Sequence, residues 1–370
     1  MNSILTEHVR IVQQEVSNMA RITARISRKH AAMASVVLLG ICGAALWAGF
    51  SNPCLRGQFT PHEQPPGAVF DLLGDATAAM HGRYAATDDL GQTLDCLDMF
   101  EVAPGEYYGV HHHYNGTSFS VHLVRSTDLL VWSFVCVLAH EASMPAIAFQ
   151  AATGEVYLAH EQWQNPGTNA PCWIAFKYYP TIEHLKNATA TMAYQTGRSF
   201  SDLEGTPSFY AILDDGNEIR VGFHFNGAGG LDRVATGVLR DFKAGTPTWT
   251  AEDWVVYNQQ LICMGIQGHI GGRDAGDIWG KQYSIQEAQE TRDDWASWRS
   301  YLYSWDDGGF WPLAVKTHGN STSFSNPHFQ VIHDPQNFSR LAIFVSYFAL
   351  GEGAATGESG ELFFYKDYSL

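Results

Sequence analysis

Two acidic residues could do chemistry together. Glu204 stands in Asp-Leu-Glu-Gly-Thr-Pro-Ser-Phe-Tyr (202–210), flanked by Phe200, Phe209 and Tyr210, and Asp98 opens Asp-Met-Phe-Glu-Val-Ala (98–103). An apolar surround keeps a carboxyl protonated to higher pH and makes it a general acid, so Glu204 is expected to donate a proton and Asp98 to act as base. Two such groups on either side of a glycosidic bond hydrolyse it, and an inverting pair stands about 6.5–9.5 Å apart to admit a water molecule. The plain alternative is that both carboxylates cap turns.

Residues so distant in sequence meet only if a repeated architecture brings them to one place. Such a repeat exists: Gly-Glu-Tyr-Tyr from Gly105, Gly-Glu-Val-Tyr from Gly154, Gly-Asn-Glu-Ile from Gly216, Gly-Lys-Gln-Tyr from Gly280 and Ser-Arg-Leu-Ala from Ser339 each open a β-branched and aromatic run. These starts recur about every 50–65 residues, the period of small stacked β-units. A short segment opened by Pro or a small residue precedes most of the runs, and a further strand follows. Three or four antiparallel strands per unit describe a propeller blade, and five units describe an all-β, five-bladed β-propeller over residues 91–370. Two β-sandwiches would also alternate strands and turns, but they need no repeating motif.

The innermost strand of each blade lines a shared channel, so polar residues near its start converge. Those residues are Asp95 and Asp98 in the first unit, Ser143 in the second, Glu204 in the third, His269, Arg273 and Asp274 in the fourth, and Asn326 in the fifth. Gly271 and Gly272 would let the backbone approach a ligand, with Arg273 and Asp274 either gripping hydroxyls or bracing each other. Of the run His111–His113, at most His111 and His113 share a strand face. His113 is therefore a candidate ligand contact, as are Glu141, His160 and Glu161 from the duplicated Leu-Ala-His-Glu. Trp163, Trp279, Trp295, Trp298 and Trp311 could supply a sugar-stacking platform, though most are expected in blade cores.

Residues 1–30 form a basic leader and residues 31–50 carry no charge, a length that can span a bilayer. Basic residues on the N-terminal flank point that side to the cytoplasm. A transmembrane signal anchor, or alternatively a signal peptide, is therefore expected before a leader segment (51–90) that packs on the propeller. The protein would be a single-pass membrane protein with a luminal or extracellular domain, or secreted. Sequons at Asn115, Asn187, Asn320 and Asn337 fit N-glycosylation there. A Cys54–Cys96 disulfide is the first expectation. Residues 51–370 keep 17 of the 22 basic and 36 of the 38 acidic residues, a net charge of about −19, which repels nucleic acid and suits a neutral partner such as carbohydrate.

Over residues 95–368 the chain resembles the five-bladed propeller glycoside hydrolases of family 43, the arabinanases, β-xylosidases and their relatives. Three stretches carry the resemblance: Asp98 with the later Gly105-Glu-Tyr-Tyr, Ser126-Thr-Asp-Leu-Leu-Val-Trp132, and Glu204-Gly-Thr-Pro207. The resemblance implies Asp98 as base, Glu204 as acid and a structural role for Ser126, Asp128, Leu129 and Trp132. It requires no cofactor and leaves room for a structural calcium ion. The chain departs from the pattern in blade two, where the family's Asp before Pro is replaced by Ser143-Met144-Pro145, and in blade three, where Thr206 is inserted before Pro207. The missing Asp leaves a lectin-like propeller that binds without cleaving as the alternative.

Overall fold

A computed structural model describes Cys54, residues 64–165 and residues 171–369. The basic leader and the apolar segment 31–50 lie outside the described residues, and among the described residues no helix is long and apolar enough to cross a membrane. The described chain folds into five four-stranded antiparallel sheets. His81–Arg83 (β1) comes first in sequence but is the outer strand of the last sheet. Asp98–Ala103 (β2), Glu106–Tyr114 (β3), Phe119–Ser126 (β4) and Ser133–His140 (β5) form blade one; Ala142–Gln150 (β6), Glu155–Trp163 (β7), Cys172–Tyr179 (β8) and Met192–Gln195 (β9) form blade two. Glu204–Leu213 (β10), Glu218–Asn226 (β11), Asp232–Arg240 (β12) and Thr248–Asp253 (β13) form blade three; Ile270–Ile278 (β14), Lys281–Gln289 (β15), Trp298–Ser304 (β16) and Gly309–Leu313 (β17) form blade four. Phe324–Asp334 (β18), Asn337–Ala349 (β19) and Gly360–Asp367 (β20) complete blade five together with β1, whose His81 pairs with Tyr365. The segment before blade one thus supplies the fourth strand of blade five and closes the ring without leaving an open edge.

The first hairpins turn at Gly105 and Gly154, whose φ values of +81° and +77° a side chain would resist. The blades are glued by buried aromatic and aliphatic residues between neighbouring sheets. Trp132, Leu97 and Met99 of blade one pack with Phe344, Phe363 and Tyr365 of blade five, and Val69, Leu72 and Leu73 of the helix Gly67–Gly74 join the core between blades four and five. Each such fully buried side chain contributes about 1.5–3 kcal/mol relative to exposure.

The Ser126–Trp132 motif is structural, as the resemblance implies. Ser126 Oγ accepts from the Leu129 amide at 2.9 Å, Asp128 Oδ1 accepts from the Leu130 and Val131 amides at 2.9 Å, and the indole of fully buried Trp132 donates to the Leu129 carbonyl at 3.1 Å. These bonds hold Leu129 at φ +63° in the turn between β4 and β5.

The expected Cys54–Cys96 disulfide is not formed. Cys96, Cys136 and Cys172 are free thiols, and Cys54 and Cys263 are each in a disulfide. Cys96 is fully buried and turned towards a histidine and a methionine instead.

Candidate active site

The inner strands share one local irregularity that fixes the level of every side chain in the channel. Met144, Thr206 and Asn326 each precede a proline and adopt φ values of 46–48°, and Cys96 takes φ 58° at the matching place before β2. Proline has no amide proton for the ladder, so the register slips there, between Ser143 and Ala146, Gly205 and Ser208, and Ser325 and His328. Blade four makes the same slip at Gly271-Gly272. Cys96, Met144, Thr206, Gly272 and Asn326, one from each blade, line a single small cavity and so stand at one height.

Two residues beyond that level come Asp98, Asp274 and His328. Their ligating atoms all lie within 4.8 Å of one another, and His328 Nδ1 is 3.9 Å from both Asp98 Oδ1 and Asp274 Oδ2. Asp98 and Asp274 line a cleft of about 310 Å³, walled by Phe100, Phe149, Phe209 and Gln330. Phe100 and Phe149 stack with centroids 5.1 Å apart. Asp98 Oδ2 accepts from the Ile147 amide at 2.7 Å, and Asp274 accepts from the Phe329 and Ala275 amides at 2.9 and 2.8 Å.

Burial raises both acids, Asp274 to about 7 and Asp98 well above the usual carboxylate range, where the charge of Asp274 adds to the effect. Burial pushes His328 down to about 3, so it is neutral at physiological pH. The cleft therefore holds a carboxyl pair that retains a proton near neutrality, beside an uncharged imidazole.

Glu204 lies on the other side of the positive-φ level, two residues before Thr206. On β11, which pairs without a slip on its other side, Glu204 stands opposite Phe225 and Ser208, the counterpart of Asp98, opposite Gly222, three residue steps of about 3.3 Å or roughly 10 Å along the strands. Its carboxylate is fully buried and does not face the cleft. Oε1 accepts the amides of Ser199 (2.6 Å), Ser201 (3.1 Å) and Phe200, while Oε2 is enclosed without a partner. Oε1 is thus held by three N–H donors of the loop before β10. Asp98 borders the cleft and Glu204 does not, because Asp98 stands two residues after the positive-φ level and Glu204 two residues before it, against the expectation that the two would pair across one opening.

The other sequence-derived candidates divide in the same way. Glu161 is buried and accepts from Ser143 Oγ at 2.6 Å and the Thr206 amide at 2.9 Å, bracing blade three from blade two. A Cβ on Gly205 would come within 2.0 Å of Glu161 Oε1, so this carboxylate fills the space that a side chain at 205 would need. Glu287, which sequence reasoning missed, repeats the device: it accepts the Gly272 and Asn326 amides, and burial raises it to about 7.

Asp95 accepts from His112 and from Asn326 Nδ2, both at 3.0 Å. Arg273 is buried and donates to Tyr210 Oη at 2.8 Å and to the Gly271 carbonyl, while its Nη2 is enclosed without a partner. His269 pairs with Asp232 at 2.8 Å, and that pairing together with the charge of His224 outweighs burial to hold Asp232 at about 2. His160 bonds the Glu161 carbonyl through Nδ1 and is held down to about 4 by burial. Glu141 Oε2 is enclosed without a partner, and His113 packs on His122 within blade one. None of these residues lines the cleft, and neither does any of the five tryptophans.

His328 went unnoticed in sequence, although the signal is there. Aligned on the prolines, Asn326-Pro327-His328 matches Thr206-Pro207-Ser208, Met144-Pro145-Ala146 and, without proline, Gly272-Arg273-Asp274 and Cys96-Leu97-Asp98. The third member of each triplet faces the same level.

No family model and no curated protein matches the chain in sequence. Solved structures do match. A thermostable family-43 glycoside hydrolase superimposes with a TM-score of 0.50 at 11% identity, covering 77% of this chain and 92% of the other. The fold is that of the family-43 glycoside hydrolase propellers. An α-L-arabinanase of Cellvibrio cellulosa, solved with arabinohexaose, gives 0.48 at 11% identity over 75% of this chain and 92% of its own. An exo-β-1,3-galactanase of Clostridium thermocellum gives 0.49 at 12% identity, over 77% and 62%.

The cleft offers little to calcium, which takes six to eight oxygen ligands. It presents two carboxylates already bonded to amides and one imidazole nitrogen.

Proposed function

We propose that this protein is a glycoside hydrolase acting on a neutral glycan in the cleft, with Asp98 and Asp274 as its proton-handling pair. One observation carries the reading: two buried carboxyls from different blades converge on an open cleft. The protonated member donates to the glycosidic oxygen as that bond breaks, and its ionised neighbour bonds to the anomeric carbon; water, giving its proton to the first carboxylate, then displaces the sugar from that ester. Neutral His328 accepts a hydrogen bond without competing for the proton, and the ring of Phe149 or Phe209 offers a face to the sugar.

The pair is closer than the 6.5–9.5 Å that inversion requires and nearer the spacing of about 5–5.5 Å of retaining enzymes, so the stereochemistry of the product bears directly on the reading. The full chain, incubated with a panel of arabinans, galactans and xylans, should release sugar of retained configuration by NMR. Asp98→Asn should lower release by about 10²–10⁴-fold.

A second reading rests on a specific observation: Asp98, Asp274, Glu161 and Glu204 all accept backbone amides from neighbouring segments. In that reading the carboxylates hold the ring together and the cleft binds glycan without cutting it. Binding without release in the same panel would favour it.

The domain is further proposed to face the secretory lumen or the exterior, anchored through residues 31–50. Exposure of Asn115, Asn187, Asn320 and Asn337 supports this. Enzymatic removal of N-glycans from protein made in a eukaryotic host should then lower its mass.

A further inference from the structure

A second cluster of reactive side chains lies where blades one and two adjoin, and none of its members lines the glycan cleft. Cys96 Sγ stands 3.6 Å from His112 Nδ1 and 3.7 Å from Met144 Sδ. The three residues come from the turn before β2, from β3 and from β6. Cys96 and Met144 occupy matching positive-φ positions, φ 58° and 46°, a conformation that costs free energy for such side chains and persists only where the surroundings enforce it. Here it brings two sulfurs together in the channel wall.

His112 is oriented from behind. Its Nε2 is 3.0 Å from Asp95 Oδ2, and the other oxygen of Asp95 is fixed by Asn326 Nδ2 at 3.0 Å. An Nε2–H given to Asp95 leaves Nδ1 unprotonated, accepting from the Met144 amide at 3.2 Å with Cys96 Sγ beside it, the carboxylate–imidazole arrangement that holds a metal-binding histidine in place. The donor atoms of Asp95, Cys96 and His112 lie within 4.8 Å of one another. A cavity of about 10 Å³, the room of one water molecule, adjoins Cys96 and Met144.

We propose that Cys96, His112 and Met144 form a binding site for a soft monovalent metal ion, copper(I). Bonds of about 2.3 Å to sulfur and 2.0 Å to nitrogen put the donors of a three-coordinate ion roughly 3.4–4.0 Å apart, and both observed separations fall in that range. Thiolate, thioether and imidazole together select copper(I), since hard cations reject both sulfurs and zinc has little use for a thioether. On loading, the ion replaces the thiol proton of Cys96, which passes to solvent. The thiolate and the monovalent ion then form a neutral unit suited to burial, with no change of oxidation state. The Met144 amide, 3.2 Å from Nδ1, gives up that lone pair to the ion.

The test is an anaerobic titration of the full, reduced chain with copper(I) in competition with bicinchoninate. One ion per chain is expected, with one nitrogen and two sulfur scatterers in its X-ray absorption. Cys96→Ser should abolish binding, and Asp95→Asn should weaken it by about tenfold. Met144→Leu conserves volume and so keeps the fold, checked by circular dichroism, but should lose at least about tenfold in affinity. Cys172→Ser, which removes another buried thiol, should bind as the parent does. Failure of the folded parent to bind copper(I), affinity unchanged in Met144→Leu, loss of binding in Cys172→Ser, or preferential retention of zinc(II) would each overturn the assignment.

Discussion

Two heights of the same channel use carboxylates in opposite ways. Before the positive-φ level, Glu204 is sealed in and takes three amides on one oxygen, and Glu161 is locked between Ser143 and Thr206. Beyond it, Asp98 and Asp274 accept fewer amides, face each other and border open space. The difference teaches that an apolar neighbourhood does not by itself make a proton donor. What matters is whether backbone donors consume the carboxylate or leave it to share a proton with a second acid.

Several experiments would break or sharpen that contrast, the largest effect first. Asp274→Asn should remove about 10²–10⁴-fold of any sugar release while the protein stays folded, measured as kcat/KM beside a near-ultraviolet spectrum. Sugar release should also rise as pH rises through about 7, because Asp274 then ionises while Asp98, raised well above the usual range by burial and by the charge of Asp274, keeps the proton to donate. A flat profile from pH 6 to 9 would remove the pair from the mechanism.

On the structural side, Gly205→Ala drives a Cβ into Glu161 Oε1 and should destabilise by about 1–3 kcal/mol in urea unfolding. The double variant Gly205→Ala/Glu161→Ala should recover part of that loss, since the crowding partner is gone. A smaller effect is expected at the blade edge. Asp128→Ala strips the Leu130 and Val131 amides of their acceptor and should cost about 1–2 kcal/mol, whereas Asp128→Asn keeps Oδ1 and should cost less.

The ring itself was legible because four of the five blades repeat a Gly turn before an apolar, aromatic strand and the fifth repeats the strand, and strand alternation is a local property of sequence. Ser126 to Trp132 was legible for the same reason, since every bond of that turn lies within a few residues. The candidate site was only half legible. Asp98 and Asp274 carried visible charge in channel positions, but Glu204 looked equivalent to Asp98 because the effect of the Thr206-Pro207 slip on height cannot be read from one blade alone. Its partners Ser199 to Ser201 belong to a loop that carries no motif. His328 was visible only by aligning the triplets after the prolines. The Cys96 environment was masked by an expectation of disulfide pairing, when what decides its fate is that φ of 58° turns it towards His112 and Met144.

The central claim is that proton chemistry belongs to the Asp98–Asp274 level and not to Glu204. The most direct test compares Glu204→Gln and Asp274→Asn for kcat/KM on the glycan that the parent cleaves fastest, each confirmed as folded. Glu204→Gln should stay within about threefold of the parent once corrected for folded fraction, with Asp274→Asn inactive. Loss of activity in Glu204→Gln with Asp274→Asn intact would contradict the account.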